Sequence, residues 1–136
     1  MRDSVLPDAM EESSPTRSDR TIYKIASRTS WNAACQTGTY AGSPDDLRDG
    51  FIHFSTEVQL QETARKHFAG QTDLVLIAVD VKRLGDALKW ETSRGGALFP
   101  HLFATLDTDA AEWVRKLSND QSGVPDVKAA LTGVQR

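Results

Sequence analysis

Gly50-Phe-Ile-His-Phe-Ser-Thr-Glu-Val-Gln59 contains the sharpest change of pattern in the chain. From Phe51 onward, side chains alternate with a period of two, which is typical of a β-strand. Thr56 and Gln59 then form a capping-box pattern, which signals the start of a helix. The amphipathic helix that follows ends at Gly70. We therefore predict a strand that is followed directly by a helix.

Further strands and helices flank this stretch on both sides. Upstream, Ile22 to Ala26 has a strand pattern, and a helix capped by Ser27 or Thr29 follows it. A second, short helix starts at Ser43-Pro44 and ends at Gly50. Downstream, strand patterns occupy Leu74 to Val81, Ala87 to Glu91 and Leu98 to Thr105. Because strands and helices do not alternate strictly, we predict an α+β fold with a bent or split sheet, mixed or antiparallel, and flanking helices.

Residues 110–117 fit two different structures. The spacing of Ala110, Trp113, Val114 and Leu117 favours a helix. The alternation from Glu112 to Leu117 favours a strand. The residues themselves leave both open.

The chain divides into one core and two polar ends. Its 136 residues suit one domain, because two cores would each lack apolar surface. We place a single α+β domain at residues 21–118. Residues 1–20 hold few large apolar groups and are predicted to be a disordered leader. Residues 119–136 are predicted to be a mobile C-terminal tail, in which Val127 to Leu131 can form a short helical turn.

Composition excludes several classes of protein. The net charge of −3, without a basic stripe, argues against duplex nucleic acid as a partner. The lone cysteine, Cys35, cannot form an internal disulfide, and no apolar run reaches the length of a membrane span. We therefore expect a cytoplasmic protein with no membrane partner. Separately, we expect a monomer whose partner is a small molecule or nucleotide.

Two polar side chains share one face of the strand that begins at Phe51. Residues two apart point to the same side, so His53 and Ser55 lie together while Ile52 and Phe54 face the core. Such a pair needs hydrogen-bond partners, which makes both residues candidates for a site. The structural alternative is that His53 bonds a backbone carbonyl and Ser55 caps the next helix.

A second polar cluster runs from Glu91 to His101. Phe99 and Phe103 lie two residues to either side of His101, so a ligand with a flat apolar face and polar edges fits there. The alternative is an aromatic core with one satisfied histidine. Gly95-Gly96 offers backbone N–H groups to an anion, but its spacing matches no phosphate-binding loop, and a simple turn explains it better.

Metal and hydrolase chemistry find little support in the spacing of these residues. His53, His101 and Glu91 form a facial metal triad only if they converge. The closely spaced ligand pairs of a metal motif are missing, so we predict no metal site. A nucleophile elbow with Ser, His and Asp in order is missing as well.

Several of these motifs occur together in one bacterial family. They are Ile22-Tyr23-Lys24-Ile25, Trp31, Gly50-Phe51-Ile52-His53-Phe54-Ser55-Thr56 with Gln59, Glu91 and Phe99-Pro100-His101-Leu102-Phe103. In this order they resemble the bacterial domain-of-unknown-function family numbered 952, across nearly the whole predicted core. The resemblance implies a distant relationship to the ADP-ribosyltransferase-like fold, whose split, bent β-structure has a cleft that binds NAD in active members. It also implies that Glu112 to Leu117 is a strand.

The resemblance further implies roles for individual residues. Active transferases of that fold use a His or Arg from an early strand, a Tyr or Ser from another strand and a late Glu. Here Tyr23 and Lys24 occupy the early strand, where many family members look like Y-H, so the expected histidine is missing. Ser55, with His53 beside it, fills the second role, and Glu91 fills the third by bonding a ribose hydroxyl.

Two function classes follow. In the first, the chain is an NAD-using enzyme that transfers ADP-ribose or cleaves the glycosidic bond, with Glu91, His53 and Ser55 as catalytic residues and Glu91 stabilising the oxocarbenium charge. In the second, it is a non-catalytic module for a small ligand or nucleotide. The predicted ligand-binding residues are Tyr23, Lys24, His53, Ser55, Phe99, His101 and Phe103. NAD enters as a substrate, and no resident cofactor is predicted.

Overall fold

The computed structural model describes residues 20–133, the side chain of Arg94 excepted. Eight β-strands and four complete α-helices lie in this part of the chain. The strands are β1 (Thr21–Ser27), β2 (Thr39–Tyr40), β3 (Ile52–His53), β4 (Leu74–Asp80), β5 (Leu88–Thr92), β6 (Leu98–Leu102), β7 (Leu106–Asp107) and β8 (Ala111–Leu117). The helices are α1 (Arg28–Thr37), α2 (Pro44–Asp49), α3 (Glu57–His67) and α4 (Val127–Thr132).

The first three helices begin where their capping residues predict. The side chains of Ser27, Ser43 and Thr56 each accept a hydrogen bond from a backbone N–H of the first turn, and the last two complete capping boxes. Helices α1 and α2 end at Gly38 and Gly50, which have φ angles of 90° and 84°. Only glycine adopts this left-handed conformation without strain, so these local signals fix the helix ends.

Strands β1, β4 and β8 form an antiparallel sheet with β4 in the centre. All residues of β4 before Asp80 are buried, because both faces of the sheet are covered. Trp31 of α1 packs on one face, and Leu60 of α3 and Val127 of α4 pack on the other. A short apolar run is the pattern expected of a strand that is buried on both sides.

Two smaller antiparallel sheets complete the fold. Strands β3, β6 and β5 form one of them, and β2 and β7 form the other. One bridge connects the first sheet with the segment after β3: Tyr23 N donates to Ser55 O at 2.9 Å, and Ser55 N donates to Tyr23 O at 2.8 Å. β1 therefore lies beside the segment that carries His53 and Ser55.

The predicted α+β class with flanking helices is confirmed, and the sheet is split into several small sheets. Every strand pair in residues 20–133 is antiparallel, so the mixed sheet is not observed. The strand predicted from Phe51 to Ser55 is shorter than expected. Only Ile52 and His53 pair in a ladder, after which Phe54 N donates to Pro100 O and the chain turns to its bridge with Tyr23.

Residues 111–117 form strand β8. β8 pairs with β4 along its length, and Trp113 and Leu117 pack into the apolar cluster under this sheet. The ladder with β4 satisfies the backbone of β8, and this tertiary pairing overrides the local helical spacing. The strand implied by the family resemblance is therefore confirmed, and the helical alternative that the spacing left open is not observed.

The two ends of the chain differ in what the structure describes. The predicted leader, residues 1–20, lies outside the described residues except for Arg20. At the other end, α4 stands where a helical turn was expected, and its Val127 and Ala130 are buried. The mobility predicted for residues 119–136 stays a prediction. Among residues 20–133, no helix has the length and apolar character that crossing a membrane requires.

Candidate functional site

A cavity of about 630 Å³ is walled by β1, α2, α3, β6 and the segments next to β3 and β6. Pockets for small ligands generally measure about 300–1,000 Å³. All three histidines of the chain, His53, His67 and His101, line this cavity. One concavity therefore collects every imidazole of the protein.

His53 and His101 lie directly opposite each other on β3 and β6. Their rings are 5.5 Å apart, edge to face. Phe51 packs against both rings, stacked on His101 at 4.1 Å and tilted against His53 at 4.6 Å. Side chains at opposite positions of an antiparallel pair are close neighbours. The strand register and Phe51 together therefore fix the two imidazoles next to each other.

Asp46 of α2 forms a hydrogen bond with the ring of His53. Its Oδ1 lies 2.6 Å from Nδ1 of His53 and accepts from the backbone N–H of His53 at 3.1 Å. The same carboxylate pairs with Lys24 Nζ at 2.8 Å and accepts from Ser43 N at 2.8 Å. The Asp46 side chain is 1% exposed. Four nitrogen atoms from β1, β3 and the α2 cap thus surround one buried carboxylate.

The ionisation of Asp46 and Lys24 follows from this environment. Burial alone raises the pKa of Asp46, but the hydrogen bonds from His53, Lys24 and Ser43 and the charge of Lys24 outweigh it. The pKa of Asp46 therefore lies well below its usual range. Burial lowers the pKa of Lys24, and the nearby carboxylate of Asp46 opposes this effect. Asp46 thus remains a carboxylate even in acidic solution.

The second ring nitrogen of His53 faces another acid. Nε2 lies 3.0 Å from Oδ2 of Asp49, the last residue of α2, whose side chain is 33% exposed. Both ring nitrogens of His53 therefore face carboxylate oxygens. The two contacts are both hydrogen bonds only when the ring carries two protons. The geometry therefore suits a doubly protonated ring that donates to Asp46 and Asp49 at once.

Glu91 of β5 contacts the ring of His101. Its Oε1 lies 2.8 Å from Nδ1 of His101, which is buried while Glu91 is partly exposed. When Nδ1 donates to this carboxylate, Nε2 keeps a lone pair that can accept a proton. His101 is thus the histidine of the pair that is oriented for proton exchange.

Ser55 has a different partner from the one that helix capping would give it. Its Oγ lies 2.9 Å from Oγ1 of Thr63 on α3, while the cap of that helix is Thr56. The ring of His53 bonds a carboxylate and not a backbone carbonyl. Neither of the two structural alternatives for this pair is observed.

The cavity brings most of the predicted site residues together. The ones that line it are Tyr23, Lys24, His53, Ser55, Phe99 and His101. Glu91 reaches the cavity only through His101. Phe103 contacts Phe51, with ring centroids 5.1 Å apart, and is exposed outside the cavity wall. The roles predicted for these residues remain predictions.

The arrangement does not favour a metal ion. In the part of the chain that the structure describes, no group of three or more His, Cys, Asp or Glu residues is arranged to hold one. His53 and His101 direct their Nδ1 atoms to two different carboxylates, Asp46 and Glu91. The facial triad considered from the sequence therefore does not form.

Asp46 and Asp49 were not among the predicted site residues. In the sequence, the acids after Ser43 look like ordinary first-turn residues of a helix. The available signal was Lys24, because a lysine inside an apolar strand needs a buried counter-charge. Asp46 is 22 residues away along the chain, so the sequence does not single it out as that partner.

Comparison with known proteins places the chain in a family. The family model described as "Protein of unknown function (DUF952)" matches residues 25–114. The crystal structure of protein CC0527 from Caulobacter crescentus is 50% identical, with a TM-score of 0.80, and the match covers 82% of this chain and 98% of that chain. The solution NMR structure of CC0527 gives a TM-score of 0.73 at 50% identity, covering 81% and 95% of the two chains. No curated protein matches the chain. The cavity residues from Ile25 to His101 fall within the matched range, and the chain belongs to the DUF952 family.

Proposed function

We propose that the cavity is the substrate site of an enzyme that acts on NAD or a related ribonucleotide, as ADP-ribosyltransferase-like enzymes do. The observation that carries this proposal is the pair of histidines on the cavity wall, each held by a carboxylate through Nδ1. A fixed ring orientation matters for proton transfer more than for binding alone. Two oriented imidazoles side by side therefore favour an enzyme over a simple binding module.

His101 is the residue that exchanges the proton. In the reaction the bond between ribose C1′ and the nicotinamide nitrogen breaks, and an acceptor hydroxyl or water forms the new bond to C1′. The acceptor's proton goes to Nε2 of His101. Glu91 fixes the tautomer of His101 and stabilises its protonated form, so it acts as a positioning residue.

Other cavity groups suit a ribonucleotide. The hydroxyl pair of Ser55 and Thr63 offers hydrogen bonds to a ribose, and Phe99 offers an apolar face to a ring. The family resemblance suggested a direct contact between Glu91 and the ribosyl cation. We replace that contact by one through His101, because Glu91 lies outside the cavity wall.

A non-catalytic module for a small ligand or nucleotide is the second candidate, and one observation favours it. Lys24 stands on the early strand, where transferases of the resembling fold carry a His or Arg, and its ammonium group is paired with Asp46. A cation that is already neutralised has less to offer a substrate.

Titration of the labelled protein with NAD, ADP-ribose and nicotinamide tests both candidates. We expect amide shifts in residues 51–56 and 91–103, and release of nicotinamide from NAD. Glu91→Gln should lower kcat at least about tenfold and leave KM within about threefold, because it acts on the transition state.

Glu112→Gln is the matched control, since it removes the same charge from β8, outside the cavity wall. It should leave turnover unchanged. Shifts without nicotinamide release would favour the binding module. Unchanged spectra at millimolar concentrations of all three compounds would exclude the nucleotide proposal.

A further inference from the structure

The carboxylate of Asp49 is bound at both of its oxygens, by the guanidinium of Arg48 and by the imidazole of His53. Oδ1 accepts from Nε of Arg48 at 3.1 Å, and Oδ2 lies 3.0 Å from Nε2 of His53. The hydrogen bond from Arg48 lowers the pKa of Asp49, against the effect of burial, and the charges of Arg48 and His53 add to this lowering. An arginine and a protonated imidazole that share the oxygens of one anion bind carboxylates and phosphates alike.

Asp49 can leave this position at little cost, unlike Asp46. Its side chain is one-third exposed, and that of Arg48 is more exposed still. Asp49 is also the last residue of α2, so rotating its side chain into water leaves the helix intact. Asp46 is fully buried among four nitrogen atoms and has no such freedom.

The charges around His53 can balance only one anionic group at the position that Asp49 occupies. The three acids of α2, Asp45, Asp46 and Asp49, contact Lys24, Arg48 and His53, and the charges balance when His53 is doubly protonated. The charged groups on the other walls are already paired, Lys66 with Glu62 on α3 and His101 with Glu91. An anionic ligand group therefore fits beside His53 if Asp49 turns out to solvent, and the local balance is then kept.

We propose that the Asp49 carboxylate occupies the subsite for a phosphate group of the ligand and is displaced when the ligand binds. This inference rests on the proposed function, and it names the chemical class that the cavity takes: a ligand with an anionic phosphate next to its ribose. Asp49 acts as an internal competitor. It selects for ligands that bind Arg48 and His53 more strongly than a single carboxylate does.

Two variants that remove the same charge from the same helix test this. Asp49→Asn removes the competitor, whereas Asp45→Asn removes an acid that contacts Arg48 at 3.0 Å and leaves the His53 contact in place. Inorganic phosphate should bind Asp49→Asn at least about tenfold more tightly than the unaltered chain, the effect of one charge-assisted hydrogen bond. Asp45→Asn should gain clearly less.

Adenosine and AMP separate phosphate recognition from binding of the nucleoside. The gain in Asp49→Asn should appear for AMP and not for adenosine. Adding His53→Gln to Asp49→Asn should remove the gain. In the unaltered chain, saturation with AMP should shift the side-chain carboxyl carbon of Asp49 and the Nε2 signal of His53, a readout that needs no variant.

Equal gains in the two Asn variants would show a general charge effect and overturn the subsite. Asp49 and His53 side-chain signals that stay constant on saturation with AMP would overturn it as well. If Asp49→Asn gains phosphate affinity but neither AMP nor NAD binds in the cavity, the subsite stands and the nucleotide proposal fails. If NAD is turned over and the Asp49 signal never moves, the nucleotide proposal stands and the phosphate subsite fails.

Discussion

Asp46 connects three parts of the fold through one buried carboxylate. It caps α2 through Ser43, pairs with Lys24 of β1 and holds His53 of β3. Gly42 gives it room, since a Cβ there would lie 2.7 Å from the Cβ of Asp46. The orientation of His53 in the cavity therefore depends on a residue that no ligand has to touch.

Replacing Asp46 by Asn should lower the free energy of unfolding by about 3–5 kcal/mol, the usual cost of removing one partner of a buried ion pair. Lys24 would then keep a buried charge without its counter-charge. Asp45→Asn is the control, because Asp45 is exposed on the same helix, and its change should stay within about 0.5 kcal/mol. Urea unfolding at neutral pH measures both.

The unaltered chain and Asp46→Asn also test how the free energy of unfolding depends on pH. The pKa of Asp46 is lower in the folded chain than in the unfolded chain, where it is about 3.9. Its carboxylate therefore stabilises the fold fully above about pH 5, and this contribution is lost as the pH falls through the unfolded pKa toward the lower folded pKa. The stability gap between the unaltered chain and Asp46→Asn should shrink from about pH 5 to about pH 2. A constant gap would show that the charge of Asp46 is not responsible.

Some of these residues could be found from the sequence and some could not. His53 and Ser55 were placed together by the two-residue period of a strand, which is a local rule. Glu91 and His101 are only ten residues apart and meet across the β5–β6 hairpin. Lys24 and Asp46 meet only because α2 packs beside β1, and this is a property of the tertiary fold.

The first turn of α3 is fixed to a distant strand by Gln59. Its Oε1 accepts from Thr56 N at 3.0 Å and completes the capping box, and its Nε2 donates to Leu98 O of β6 at 2.7 Å. One side chain thus both starts the helix and ties it to the opposite wall of the cavity.

Replacing Gln59 by Glu separates these two tasks. A carboxylate still accepts from Thr56 N, but it cannot donate to Leu98 O. We expect Gln59→Glu to lose about 1 kcal/mol of stability and to keep the hydrogen-exchange protection of the first turn of α3. Gln59→Ala should lose that protection as well. Equal exchange in the two variants would contradict the capping role.

Helices were easier to predict than strands in this chain for a physical reason. The caps at Ser27, Ser43 and Thr56 satisfy backbone groups of the same turn. Their sequence pattern therefore lies within four consecutive residues. Strands β2 and β7 have two residues each and exist only because they pair with each other. β8 carries a helical apolar spacing, and only its ladder with β4 decides against the helix.

The site as a whole is assembled from separate parts of the chain. The sheet of β1, β4 and β8 and the sheet of β3, β6 and β5 are connected by the bridge between Tyr23 and Ser55. The cavity lies where that bridge, α2 and α3 meet, so its residues come from segments that are far apart in sequence. This is why most of the residues predicted from the sequence line the cavity, whereas other lining residues such as Asp46 and Asp49, and the contacts they make, were missed.

Two arguments about the C-terminal segment give opposite expectations. Its polar composition predicts mobility for residues 119–136. Against this, Val127 and Ala130 are buried beneath the central sheet, and Nη1 of Arg115 donates to Ala130 O at 2.7 Å. Burial of apolar side chains offsets the entropy cost of ordering a helix, so we expect α4 to be docked.

Backbone relaxation decides between these arguments. For Val127–Thr132 we expect order parameters near about 0.85, as in a rigid backbone. Val127→Asp should reduce them below about 0.6, because an unpaired carboxylate cannot stay buried in the apolar cluster and the helix would leave the sheet. Lys128→Asp introduces the same side chain at an exposed position of the same helix and should change nothing. Low order parameters for α4 in the unaltered chain would show that composition, and not the burial of two side chains, governs the C-terminal segment.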